Sequence, residues 1–223
     1  MDWSSPPLVA VLLLFAYLSG SVPVSVLVAR AAGAPDPRTV GSGRIGSMNS
    51  LRALGRNRAG VVFLGDLLKG LVPVLAARLA GAGPQVEAAV AIAAVVGSWR
   101  SVFLRFAGGR GVVTAAGAML ALEPRAVVLA APVFLLIAFR VRYVSLASLL
   151  FTLVDTLLVV LFWLAADGAM PATYAVAAVA TGLIVWVAHA DNIQRLLDGT
   201  ERRFDPGLLG SRPRHGEDPD PPP

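Results

Sequence analysis

Four short polar segments interrupt the apolar runs of this 223-residue chain, and their residue types suit a phosphorylated ligand. The first is Gly41-Ser42-Gly43-Arg44-Ile45-Gly46, followed by Asn49 and Arg52. Glycines let successive backbone N–H groups converge on one anion, and a helix N-terminus adds to that field. The spelling also fits G-x-G-x-x-G, but that pattern signifies a dinucleotide only after a strand in a βαβ unit. An apolar run precedes it here, so dinucleotide binding is rejected. The other reading is a basic loop that only sets topology. The second segment, Gly108-Gly109-Arg110-Gly111 leading to Thr114, brings backbone N–H groups and a guanidinium to the start of an apolar helix. Arginine suits bidentate phosphate recognition. A plain turn with an interfacial arginine is the alternative.

Asp66 and Lys69, the third segment, lie three apart inside an apolar run, and Lys69 is the sole lysine of the chain. Ionisable groups within a membrane segment are costly, so they are either paired with each other or functional. In the fourth segment His189, Asn192 and Arg195 have spacings of three and six, which puts them near one helical face. His215 and Asp220 spell an acyltransferase-like His-x4-Asp, but in a proline-rich tail this is chance. Two histidines far apart and no carboxylate cluster make no metal site. With no cysteine there is neither a thiolate site nor a disulfide.

The elements that position these residues are membrane helices. Hydrophobic residues make up 56% of the chain and charged ones 15%, well below the roughly one quarter of soluble domains. At roughly 20 apolar residues per span the length admits six or seven crossings. Apolar runs at about 8–29, 60–80, 86–106, 111–122 (short), 126–139, 143–165 and 172–188 predict an all-α, polytopic protein of about seven transmembrane helices. The first run has no basic start and is too long for a cleaved signal, and Gly20-Ser21-Val22-Pro23 marks a kink in it. Arginines crowd the segments after spans one, three, five and seven, while the intervening turns carry almost none. The positive-inside rule then places the N-terminus outside and the C-terminus in the cytoplasm. The net charge of +5 is absorbed by this topology, so no nucleic-acid partner is expected. Residues 1–204 form the membrane domain. Residues 205–223, rich in proline and charge, read as a disordered cytoplasmic tail. No inverted repeat of a transporter is present.

The segments occur in a familiar order. Gly20-Ser21-Val22-Pro23, Gly41-Ser42-Gly43 with Gly46, Asn49 and Arg52, then Asp66-Leu67-Leu68-Lys69-Gly70 come first. Val102 to Thr114, Tyr143 to Ser148, and His189, Asn192, Arg195 with Gly199-Thr200-Glu201 follow. Together they resemble the PlsY family of bacterial acyl-phosphate:glycerol-3-phosphate acyltransferases, over about residues 20–201. The resemblance implies an inner-membrane enzyme with its site at the cytoplasmic face. It would move a fatty acyl group from acyl phosphate to the 1-hydroxyl of glycerol 3-phosphate, giving lysophosphatidate and inorganic phosphate for phospholipid synthesis. By the same resemblance Ser42, Arg52, Ser148, His189 and Asn192 are the candidate catalytic residues. The candidate phosphate-binding set is Gly41, Gly43, Asn49, Lys69, Gly108, Gly109, Arg110, Gly111 and Thr114. The expected partners are glycerol 3-phosphate, a fatty acyl phosphate and membrane lipid, with no cofactor and no metal. The chain departs from the family where asparagine is usual (Arg44), where histidine is usual (Ser98), and where lysine is usual (Ala107 and Arg110). These departures leave open another acceptor, or a paralogue that binds lipid or acyl phosphate without catalysis.

Overall fold

The computed structural model describes residues 5–40 and 43–209. Gly41, Ser42 and residues 210–223 of the expected tail, with His215 and Asp220, lie outside the described residues, whereas residues 205–209 of that tail are described and hold the 3₁₀ turn Pro206–Leu209 where disorder was expected from residue 205 onward. Ten α-helices, α1 (Pro6–Ser21), α2 (Val24–Ala31), α3 (Ser47–Leu54), α4 (Arg56–Leu79), α5 (Pro84–Trp99), α6 (Val112–Leu122), α7 (Pro124–Leu136), α8 (Val144–Ala165), α9 (Ala172–Ala188) and α10 (Ala190–Leu197), make up the described bundle. No strand occurs among the described residues. The all-helical membrane architecture expected from the sequence is the one found.

Helices α4, α8, α5 with the 3₁₀ turn Val102–Leu104, and α7 with the π-turn Ile137–Val141 are each long and apolar enough to cross a membrane. The pairs α1 with α2 and α9 with α10 qualify as one span each, bent by 50° and 60°. The seventh apolar segment, α6, has 11 residues and rises only about 17 Å, short of the roughly 30 Å hydrocarbon core. Six segments therefore have spanning length where the sequence suggested about seven. Prolines open α1, α5 and α7 at the first helical turn, where a missing N–H costs nothing. The break between α1 and α2 falls at the expected kink, because Pro23 cannot donate back into the preceding turn.

Side chains are sorted as lipid demands. Leu14, Leu64, Leu129, Leu161, Leu164 and Leu183 face outward and exposed, while the interior is dominated by alanine and valine from α4, α5, α6 and α9. Small interior residues let helices pack closely where apolar lipid gives no hydrophobic incentive to associate. At one end of the bundle Arg78 of α4 bonds Glu87 of α5 (2.8 Å) and the Ala121 carbonyl of α6 (2.6 Å). Tyr174 of α9 donates to the same Glu87 carboxylate at 2.7 Å, so one buried acid ties these helices together. The opposite end is held open.

Candidate active site

A cavity of about 590 Å³ occupies that open end, where α3 and α10 meet the N-terminal turns of α4, α6 and α8. Arg52, Arg110, Ser148, His189, Asn192 and Arg195 form its polar wall. Ala59, Phe63, Val113, Phe134, Val144 and Leu209 form an apolar arm. Phe63 is half exposed on the outside of α4, so the arm reaches the lateral surface of the bundle. Six basic side chains face this cavity against two acidic ones, Asp66 and Glu201. The cavity therefore combines a basic lining with an apolar one.

His189 sits at the break between α9 and α10, where the chain turns by 60°; its carbonyl accepts the Asn192 and Ile193 N–H groups at the start of α10, and it lines the cavity together with Asn192 and Arg195. Its backbone N–H caps α9 on the Val185 and Trp186 carbonyls. Its ring Nδ1 lies 2.8 Å from the Val185 carbonyl, which can only accept, so Nδ1 carries the proton. Nε2 is then a lone pair on a ring that lines the cavity.

Asn192 Nδ2 donates to Glu201 at 2.6 Å, and Arg195 Nε donates to the other oxygen of the same carboxylate at 2.8 Å. Glu201 thus fixes both side chains. It belongs to the recognised motif but was not among the candidate site residues, because only the turn at Gly199 folds it back over α10. Asn192 Oδ1 is buried without a hydrogen-bond partner among the described residues, as is Ser145 Oγ. Ser148 Oγ donates to the Val144 carbonyl at 2.8 Å, which turns its lone pairs away from its own helix. Arg52, on the last turn of α3, and Arg56, at the start of α4, complete the basic wall.

The glycine segment before α6 works differently from its expected role. The N–H groups of Gly108 and Gly109 are not free for an anion, since they donate to the Trp99 and Ser98 carbonyls at 3.1 and 2.9 Å. A Cβ on Gly108 would stand 2.4 Å from the Ser98 oxygen, so the glycine serves this close backbone approach. What faces the cavity is the N-terminus of α6, residues Gly111 to Thr114, whose first-turn N–H groups lack intrahelical partners. Thr114 Oγ1 lies 3.1 Å from both the Asp66 carbonyl and Ser98 Oγ, so serine at 98 still makes an orienting contact. Arg110 bonds Asp191 at 3.2 Å, and its Nε is buried without a partner among the described residues. Arg195 and Arg44 approach the same carboxylate oxygen at 3.5 and 3.8 Å. Asp191 therefore holds three guanidiniums beside the α6 N-terminus.

Two further candidates face the cavity with their donors engaged. Asn49 donates its amide N–H groups to the Pro37, Val40 and Arg44 carbonyls and so shapes the loop that carries Gly43. Lys69 Nζ lies 2.9 Å from Asp66 and 3.1 Å from the Val22 carbonyl, which it caps at the α1–α2 break. Removing one member of such a buried pair strands the other charge, at a cost of about 3–5 kcal/mol. Lys69→Met should therefore sharply lower the unfolding temperature in detergent, and adding Asp66→Asn should recover much of it. A single variant that melts like the parent would show that the pair carries no such weight.

The fold and cavity define a multi-pass helical membrane protein with a basic, apolar-armed site at one end. The chain belongs to the glycerol-3-phosphate acyltransferase family, whose model matches residues 10–199. Among similar proteins is a glycerol-3-phosphate acyltransferase of Rubrobacter xylanophilus, 46% identical over 86% of this chain and 94% of its own. One of Pseudomonas aeruginosa is 45% identical over 88% of this chain and all of its own. A crystal structure of PlsY, an integral membrane glycerol 3-phosphate acyltransferase in its glycerol 3-phosphate form, superimposes with a TM-score of 0.80. It is 36% identical and covers 88% of this chain and 96% of that one. Its lysophosphatidic acid form gives 0.79 at 33% identity, over 90% and 97%.

Proposed function

We propose that this protein transfers a fatty acyl group from acyl phosphate to the 1-hydroxyl of glycerol 3-phosphate, releasing lysophosphatidate and inorganic phosphate. The observation that carries the reading is the shape and charge of the cavity: a basic wall continuous with an apolar arm. An acyl phosphate has that same division, a dianionic head on a hydrocarbon chain. The relatives' names supply the acceptor, since a protein of the same fold binds glycerol 3-phosphate in one form and lysophosphatidic acid in another.

In this reading Arg110, Arg195 and Arg52 hold the phosphates, together with the N-terminus of α6. Ser42, outside the described residues, joins them by its place in the motif. The Nε2 lone pair of His189 accepts a hydrogen bond from the non-reacting 2-hydroxyl of the glycerol, and Asn192 and Ser148 orient the acceptor. The 1-hydroxyl oxygen attacks the acyl carbonyl carbon, and the carbonyl–phosphate C–O bond breaks. The 1-hydroxyl proton passes to a phosphate oxygen, so phosphate leaves protonated. An acyl phosphate is already activated, and positioning with charge stabilisation supplies the acceleration without a strong protein base.

The basic residues suggest the side of the membrane. Arg52, Arg56, Arg110, Arg195 and Arg202 crowd the cavity end, whereas Arg78 and Arg125 at the other end are paired with Glu87 and Glu123. By the positive-inside rule the site faces the cytoplasm of a bacterial inner membrane. Purified protein in lipid, given glycerol 3-phosphate and either acyl phosphate or acyl-CoA, should form lysophosphatidate and phosphate with acyl phosphate alone. Turnover with acyl-CoA alone, or none with either donor from folded protein, overturns the reading.

A further inference from the structure

We infer that the segment from Phe204 to Leu209 is a built-in wall of the apolar arm that sets which acyl-chain lengths fit. This rests on the proposed acyl transfer and names a specificity element within it. The family match ends at residue 199, so this wall lies beyond it. Yet Arg202 and Leu209 line the same cavity as His189 and Arg110.

The segment is fastened at several points. Glu201, three residues before it, anchors the approach by holding Asn192 and Arg195. Phe204 is only 3% exposed and packs with Leu51 of α3 and Ala59 of α4, with Leu208 and Leu209 against the same cluster. The Phe204 ring meets Phe139 edge-on at 5.8 Å between centroids. Its backbone is clasped on both sides, since its N–H donates to the Arg142 carbonyl and its own carbonyl accepts from Arg142 Nε at 2.7 Å. Arg203 bonds the Tyr143 hydroxyl at 3.3 Å. Asp205 then accepts from the Gly207 N–H at 2.9 Å and starts the 3₁₀ turn that delivers Leu209.

Side chains shared between this segment and the arm make the consequence steric. Ala59 and Leu51 touch Phe204 on one side and the cavity on the other. A hydrocarbon chain in the arm therefore lies against a surface whose position is set by residues 204–209. Bulk at Leu209 subtracts from the room for methylenes, and each methylene buried is worth about 0.8 kcal/mol, or about fourfold in affinity.

The test uses the full chain in detergent with alkyl phosphates from decyl to octadecyl, which carry the phosphate and the chain but cannot react. Binding is read by thermal shift, alongside acyl transfer with acyl phosphates of the same lengths. Leu209→Trp should move the preferred length down by two or more carbons. Leu209→Ala, and separately the double variant Leu208→Ala with Leu209→Ala, should move it up, each with about a threefold or larger change in the long-to-short ratio. Length profiles that stay put in all three variants overturn the inference, as does failure of every alkyl phosphate to bind. A shifted binding profile without any acyl transfer upholds the wall and sinks the proposed reaction instead.

Discussion

Arg110→Ala is expected to lower kcat/KM for acyl phosphate about a thousandfold while leaving the protein folded, measured as phosphate release in lipid. The size follows from what the side chain does. It is three-quarters or more buried, with an unpartnered Nε and one Asp191 contact, beside the N-terminus of α6. A preorganised, partly desolvated charge aimed at developing negative charge is worth about 10²–10³-fold or more on removal. Arg110→Lys should recover part of the loss, because a compact ammonium keeps the charge but loses the planar fork. Asp191→Asn should cost less than Arg110→Ala and raise KM more than it lowers kcat, since it loosens the guanidiniums without removing any. Unchanged kcat/KM in Arg110→Ala would detach Arg110 from the site.

The sequence made the long helices legible because a bilayer demands long uninterrupted apolar runs, and α4, α8 and α9 fall within a few residues of the runs that predicted them. It hid α3, whose eight residues mix Ser47, Asn49 and Arg52 with Leu51 and Leu54 and so carry no spanning signal. The polar residues were legible as a set: Arg52, Arg110, Ser148, His189 and Asn192 all line one cavity. How they are held was not. His189, Asn192 and Arg195 line one cavity, but Asn192 and Arg195 are held there by Glu201, after a reversal at Gly199. Nothing in local spacing announces a carboxylate nine residues on. Similarly, Gly108 and Gly109 look like a phosphate cradle when only composition is seen. Their N–H groups are spent on Trp99 and Ser98, and the anion-ready donors are those of the helix that follows.

That helix is also where a single added methyl group should do the most structural harm. Gly117 of α6 meets α4 so closely that a Cβ there would lie 2.0 Å from the Leu67 carbonyl oxygen, and one on Gly70 of α4 would lie 2.0 Å from the Thr114 carbonyl. The two helices thus interlock through paired glycines, each set against the other's backbone, and backbone cannot rotate out of the way as a side-chain tip can. Gly117→Ala forces α6 off α4 by roughly an ångström or more, with a cost at or above the roughly 1–3 kcal/mol of ordinary overpacking. The consequence reaches the site because α4 carries Asp66 and Lys69, whereas α6 follows directly on Arg110 and Gly111 and bears Thr114, bonded to the Asp66 carbonyl. Gly117→Ala should therefore yield little folded protein by size-exclusion in detergent, and what survives should melt far lower and turn over poorly. Gly60→Ala on α4 is the matched control: it meets nothing within 4 Å, and replacing an exposed helical glycine should raise stability by up to about 1 kcal/mol. If both variants melt like the parent, the close crossing of α4 and α6 is not what holds the site's two halves in register.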